Sequence, residues 1–342
     1  MNIHEKYIRL AIKLAKKAEG RTSPNPIVGA VIVKNSRIIG KGYHKKCGLP
    51  HAEINALRQA GTKAKGSTLY VTLEPCDHFG RTGPCTEAII ESGIKKVVIG
   101  MKDPNPLNNG KGIKKLKKYG IGISCGVLRE EAEYINKPYI KFITKKLPYV
   151  VVKVAQSLDG KIATKSGDSK WISSEDSRDY VQKLRANADA VMVGANTVIK
   201  DNPILLSRTS KGRQPARIIV DGRSKIPASA DIFSTSRRSP VILASSILGY
   251  NKRADLERLL KALAKKGIMH ILVEGGGELI SGLIEKGLVD KMLIFVSGKI
   301  IGGRQAITAV EGEGAAKIKE AQNFKITKIK RFEKDILIEA EK

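Results

Sequence analysis

No run in this sequence is long and apolar enough for a membrane span, which needs ~18 residues. The most continuous hydrophobic stretches, 149–155 and 292–296, are strand-length. Cysteine is scarce, four in 342 residues, too few to staple a secreted scaffold. The opening MNIHEKYIRLAIKLAKKAEG scatters charge through a helical period, with neither an uninterrupted apolar segment nor a small-residue cleavage site. The expected compartment is therefore a reducing cytoplasm, and any cysteine cluster reads first as metal or catalysis. Acidic residues are also short, 33 against 62 Lys and Arg, for a formal net charge of +29. Such a surplus invites a nucleic-acid partner. However, residues 1–146 hold 28 basic against 11 acidic residues and 147–342 hold 34 against 22, so the excess is spread over the chain. Lys outnumbers Arg 44 to 18, whereas recognition of phosphate by a planar fork favours Arg. Aromatics make up only 5%, with no cluster on which bases would stack. No nucleic acid and no membrane are expected as partners. Neither a G-x-G-x-x-G after a strand nor a P-loop string occurs, which removes the usual nucleotide folds.

What is present is globular: 42% hydrophobic and 28% charged residues, in a length that suits two domains at ~150 residues each. Residues 2–19 place Ile3, Tyr7, Leu10, Ala11, Leu14 and Ala18 at helical spacing, with Gly20 as a stop. IVGAVIVKN and RIIGKGYH read as strands about a turn at Asn35-Ser36. PHAEINALRQAG reads as a helix, STLYVTLEP as a buried strand, CTEAIIESG as a helix, KKVVIGM as a strand and KGIKKLKKYG as a helix. The pattern resets near residues 144–148, which places the domain boundary between 1–146 and 147–342. Beyond it YVVVKVA opens a new domain in which ADAVMVGA, ARIIVDG, PVILAS, MHILVEGG and KMLIFVS read as strands. Helices are expected over 174–185, 252–266 and 278–287. Both halves alternate strand and helix, so an α/β class is expected throughout.

The sharpest chemistry lies in His51-Ala52-Glu53, Pro75-Cys76 and Pro84-Cys85. One imidazole and two thiolates suit Zn²⁺, and three protein ligands leave the fourth tetrahedral position open, as in catalytic sites. Residues two apart lie ~200° around a helix, so His51 and Glu53 serve one centre only from a first turn, where Pro50 puts them. Glu53 is then free to move protons between water and a leaving amine. Both cysteines fall where a strand gives way to a helix, and a helix N-terminus favours thiolate. The pattern is similar to the H-x-E…P-C-x-x-C signature of zinc nucleobase deaminases, with eight residues between the cysteines in place of two. His44 and His78 are candidates to contact the substrate or support the metal. Cys47 and Cys125 read as ordinary thiols.

The string TLEPCDHFGRTGPC, with SPNPIVGAVIV before it and DPNPLNNGKGI after it, closely resembles the bifunctional riboflavin-biosynthesis deaminase/reductase family. KVAQSLDGKIAT, SGDSKWIS, LRANADAVMVGANTVIKDNPIL, RIIVDGRSKIP and HILVEGGGELI continue the likeness through the second half. The resemblance implies a cytidine-deaminase-like αβα domain followed by a dihydrofolate-reductase-like domain. It also implies zinc-dependent deamination of a diaminopyrimidinone ribosyl phosphate, then NADPH-dependent reduction of the sugar. By the same resemblance His51, Cys76 and Cys85 hold zinc, Glu53 is catalytic and Asn25 contacts the pyrimidine. The resemblance likewise implies NADPH contacts from Ala155, Trp171, Thr197, Asp201, Gly222 and the stretch Gly276, Gly277, Glu278, Leu279, Ile280, Ser281 and Gly282. Ser169, Arg185, Leu205, Arg208 and Glu274 hold the ribosyl phosphate, with Arg185 and Arg208 as phosphate clamps. Gly275 to Gly277, between a strand and a helix, let backbone N–H groups approach a pyrophosphate. Arg223 and Lys225 are candidates for the 2′-phosphate, Asp201 or Glu274 for protonating the opening ribose. A homo-oligomer is expected by family analogy.

Overall fold

Asn35 and Ser36 turn the chain with φ of 47° and 61°, the two left-handed residues that a tight hairpin requires. The flanking apolar runs pair as antiparallel strands β1 (Gly29–Lys34) and β2 (Arg37–Tyr43). Strand β3 (Thr68–Leu73) joins β1 antiparallel, and β4 (Lys96–Met101) and β5 (Gly122–Cys125) add in parallel, giving the order β2-β1-β3-β4-β5. Alternation along β1 sends Val31 and Val33 to one face, where Tyr7, Ile8, Ala11 and Ile12 of helix Ile3–Ala15 bury. Ala30 and Ile32 face the other side, with helix Ala52–Ala60, Ile89 and Leu116. The result is a helix-sheet-helix sandwich. Helix Ala52–Ala60 docks close because Gly42 has no side chain: a Cβ there would fall 2.2 Å from the Ala52 carbonyl oxygen. This sets the entry of the segment carrying His51 and Glu53.

The computed structural model describes residues 2–79, 83–209, 213–221, 226–248 and 255–342. The chain divides into two compact units, Met1–Lys146 and Leu147–Lys342. The second is built on β6 (Tyr149–Gln156), β7 (Lys161–Ala163), β8 (Ala190–Gly194), β9 (Ala216–Val220), β10 (Val241–Leu243), β11 (His270–Val273), β12 (Lys291–Ser297), β13 (Ile307–Thr308), β14 (Lys325–Arg331) and β15 (Asp335–Glu341). Eight of these form one sheet, in the order β10-β9-β8-β11-β6-β12-β15-β14, and β13 pairs with β7. The six strands from β10 to β12 are parallel, and β15 and β14 add antiparallel. Val150, Val152 and Val154 face helices Leu256–Lys265 and Gly277–Glu285, while Val151 faces the other core with Val181 of helix Glu175–Asn187. Burial on both faces is why these strands read as largely apolar runs without alternation.

Several boundaries shift from expectation. Ser174 and Asp255 are not helical but cap the helices that follow, each side chain accepting a backbone N–H three residues on. Residues 252–254 lie outside the described residues. Helix Ala195–Asp201 and the hairpin β14–β15 are additional to the sequence reading. β14 is an exposed edge strand whose lysines hide its pairing pattern, as charge on an edge commonly does.

Candidate active sites

His51 ends the coil after Pro50 with extended backbone and is the N-cap of helix Ala52–Ala60, so it does not follow the helical rotation that constrains Glu53. Cys76 leaves the end of β3 two residues after Glu74, and Cys85 is the first residue of helix Cys85–Glu91. The three donor atoms lie within 4.8 Å of one another. His51 Nδ1 is 3.2 Å from Cys85 Sγ and 3.5 Å from Cys76 Sγ, and the Cys85 backbone N–H donates to Cys76 Sγ at 3.4 Å. The helix N-terminus thus serves Cys76 through the first N–H. A thiol hydrogen bond from Cys85 holds Cys76 well below the usual thiol range and Cys85 above it. One nitrogen and two sulfurs at this spacing fit a zinc site with one open position.

Glu53 is 4% exposed, and burial pushes its carboxyl up to about 7 while it hydrogen-bonds the Cys85 thiol. Asn25 reaches the same centre through His44: its amide Nδ2 donates to His44 Nε2 at 3.2 Å, and His44 Nδ1 donates to the Pro50 carbonyl at 3.3 Å. Burial lowers the His44 pKa, and its ring stands edge-on to His51, centroids 5.3 Å apart. His78 has a buried Nδ1 with no partner among the described residues. Cys47 and Cys125 are not part of the metal-ligating group.

A cleft of about 2530 Å³ opens in the second unit. Ala155 from the end of β6, Ser169 and Trp171 from the loop after β7, Thr197 and Asp201 from helix Ala195–Asp201, Leu205, Arg208, Glu274 and residues Gly276 to Gly282 line it. Gly222, Arg223 and Lys225 lie outside the described residues. Gly276 takes a φ of 20°, and a Cβ on Gly277 would fall 2.6 Å from Glu311 Cγ, so only glycine leaves this helix start open. The cleft volume and this bare backbone fit an extended dinucleotide. Trp171 is 59% exposed and carries the Arg178 guanidinium 4.4 Å from its ring, so it is a cleft wall rather than core packing.

Arg185, expected as a phosphate clamp, has its fork spent on Glu274, with Nε to Oε1 at 2.6 Å and Nη2 to Oε2 at 3.0 Å. Burial pushes Glu274 up, but Arg185 overrides it and holds the carboxyl below its usual value. Arg208 is exposed, with its backbone N–H on Gln182 and no carboxylate among its contacts in the described residues. Burial raises Asp201 against the pull of Lys170 and Lys200. Lys153 also lines the cleft. It is the one charge inside the apolar run of β6, and burial lowers its pKa. That interruption of YVVVKVA was its visible signal.

Residues 1–101 match the model of the cytidine and deoxycytidylate deaminase zinc-binding region, and residues 148–338 match the RibD C-terminal domain. The riboflavin biosynthesis protein RibD of Aquifex aeolicus is 44% identical over 353 residues, covering 98% of each chain. RibD of Escherichia coli K12 is 38% identical over 360 residues, again 98% of each. Among solved structures, Acinetobacter baumannii RibD superposes with a TM-score of 0.91 at 38% identity, over 99% of this chain and 98% of that one. A diaminohydroxyphosphoribosylaminopyrimidine deaminase/5-amino-6-(5-phosphoribosylamino)uracil reductase from Thermotoga maritima gives 0.90 at 39%, with the same coverage. The chain belongs to the RibD family of bifunctional riboflavin-biosynthesis enzymes, a zinc-using cytidine-deaminase-like domain followed by an NADPH-using reductase domain of dihydrofolate-reductase-like fold.

Proposed function

We propose that residues 1–146 hydrolyse the 2-amino group of 2,5-diamino-6-(ribosylamino)-4(3H)-pyrimidinone 5′-phosphate, and that residues 147–342 reduce the resulting ribosylaminouracil to its ribityl form. The observation that carries this reading is the His51, Cys76 and Cys85 triad with Glu53 buried against it. In the first reaction water adds to the amino-bearing carbon, and the carbon–nitrogen bond breaks to release ammonia. When bound, zinc supplies the Lewis acidity that makes water nucleophilic near neutral pH. Glu53 takes a proton from the attacking water and delivers one to the departing amine. Asn25, oriented by His44, presents its amide to the pyrimidine edge.

In the second reaction a hydride adds to the sugar carbon that carries the amine, the ring carbon–oxygen bond opens, and a proton goes to the released oxygen. When bound, NADPH supplies the hydride. Gly276 and Gly277 admit the pyrophosphate, and Ala155, Trp171, Thr197 and the helix through Gly282 flank the cofactor, with Gly222 assigned to it by the family resemblance and Arg223 and Lys225 as candidates for its 2′-phosphate. Arg208 clamps the substrate phosphate, beside Ser169 and Leu205. Arg185 keeps Glu274 ionised for hydroxyl groups of the sugar, and Lys153 adds positive charge from the cleft floor. Asp201 donates the proton, because its raised value suits an acid and the Arg185-bound Glu274 does not. The reading extends to a cytoplasmic homo-oligomer.

The test is a coupled assay on zinc-loaded protein, following ammonia release and then NADPH consumption. Glu53→Gln is expected to lower ammonia release by about 10²–10⁴ while zinc content and reduction of supplied deaminated substrate persist. Full ammonia release by that variant would remove Glu53 from the mechanism.

A further inference from the structure

Two metal ligands at the ends of an eight-residue excursion need something to hold the neck of that loop closed, since an open loop carries a closure entropy. The chain supplies it on both flanks. The residues that follow each cysteine are bonded to one another: Thr86 Oγ1 donates to Asp77 Oδ1 at 2.8 Å, and the Thr86 backbone N–H donates to the Cys76 carbonyl at 3.2 Å. Across from them, the fully buried Asn108 brackets Cys76. Its Nδ2 donates to the Pro75 carbonyl at 3.3 Å and its Oδ1 accepts the Asp77 backbone N–H at 3.0 Å, so the peptide groups on either side of the ligand end on one side-chain amide.

This second flank is itself anchored. Glu74 accepts the backbone N–H groups of Asp103, Gly110 and Ile113, and Gly112 packs so tightly that a Cβ there would fall 2.0 Å from the Pro75 oxygen. Lys115 completes the brace, with Nζ 2.8 Å from Asp77 Oδ1 and 3.1 Å from Glu87 Oε1. Among the described residues the metal group is His51, Cys76 and Cys85, and Asp77 is not part of it. We propose that Asp77, Thr86, Asn108 and Lys115 are positioning residues that set the separation of the two thiols before metal arrives, so that the length of the excursion is decoupled from the geometry of the site. The inference rests on the reading of Cys76 and Cys85 as zinc ligands, and deepens it.

The test compares zinc release to a chelating dye, and the ligand-field spectrum of the cobalt-substituted protein, in the full chain. Thr86→Val keeps the shape of the side chain and loses the hydroxyl, Thr86→Ser keeps the hydroxyl, and Asn108→Leu removes both amide contacts. Thr86→Val and Asn108→Leu are expected to release zinc about 10–100-fold faster and to shift the cobalt bands, with Thr86→Ser matching the parent. NADPH-dependent reduction of supplied deaminated substrate, carried by the other unit, is expected to be unchanged in all three. If Asn108→Leu does not fold, the Val and Ser pair at Thr86 decides alone. Release rates and cobalt spectra of Thr86→Val indistinguishable from the parent would overturn the proposal. A Cys76→Ser control that still holds one zinc with the parent's spectrum would instead remove the ligand reading, and this proposal with it.

Discussion

Arg185 and Glu274 show how a partner decides what a residue can do. Eighty-nine positions apart in the chain, they meet in a two-point ion pair with both side chains largely buried, at 17% and 6% exposure. A guanidinium so engaged has only its Nη1 side and one Nη2 proton left for another anion, and a carboxylate so held is a poor acid. In the proposed reduction Asp201 is left as the acid. Its raised pKa gives a signed prediction: reduction, which needs the protonated carboxyl, falls as pH rises through that value. Asp201→Asn is expected to lower kcat for reduction by about 10²–10⁴ and to remove that limb of the pH profile, measured as NADPH consumption on supplied deaminated substrate. A profile unchanged in Asp201→Asn would return the role to solvent or another group. Nothing at the level of residue type foretold this division, because both carboxylates stand in equally suggestive strings.

Between helix Ala195–Asp201 and β9, the loop carrying Leu205 is held in a shape its residues do not choose. Asn202 and Leu205 have φ of 42° and 58°, and for a bulky residue such as Leu205 the left-handed region costs about 1–2 kcal/mol. Arg217 of β9 holds the loop there. It is fully buried, and among the described residues its guanidinium donates to the carbonyls of Ile204, Ile232, Thr235 and Ser239 and to the Thr235 hydroxyl. It therefore ties the loop, helix Asp231–Ser234 and the approach to β10 to one strand. Arg217→Met keeps the bulk and leaves those carbonyls bare. Each orphaned group costs about 1–3 kcal/mol, so calorimetry is expected to show a lower melting temperature for the reductase unit. KM for the pyrimidine is expected to rise more than kcat falls, because Leu205 lies on the cleft wall. Equal effects on both constants, or none on KM, would limit Arg217 to stability. In the sequence this arginine is simply a charge opening an apolar strand, and its burial was not legible. The helix that bears Cys85 was legible, since its apolar spacing and the proline before it are local signals.

At the scale of the molecule, the two units carry separable chemistry. Stripping zinc with a chelator is expected to abolish ammonia release and leave NADPH-dependent reduction of supplied deaminated substrate intact, and returned zinc is expected to restore the first activity. Loss of both on chelation would tie the metal to more than the deaminase centre. The surplus of positive charge, +17 over residues 1–146 and +12 over 147–342, is shared between units that both take a phosphorylated substrate. No helix among the described residues is long and apolar enough to cross a membrane. The sequence by itself carried the α/β class of both units and the zinc pattern, because periodicity, turn chemistry and the spacing of His, Glu and Cys are covalent facts written along the chain, while the family and its NADPH came from the likeness of its long motifs to a known family. Only the tertiary structure decided which side chains meet: Arg185 with Glu274, Arg217 with the Leu205 loop, Asn108 with both flanks of Cys76. Those pairings depend on where distant strands and helices bring polar groups together under burial, where a donor or acceptor must find a partner, and no local pattern records that choice.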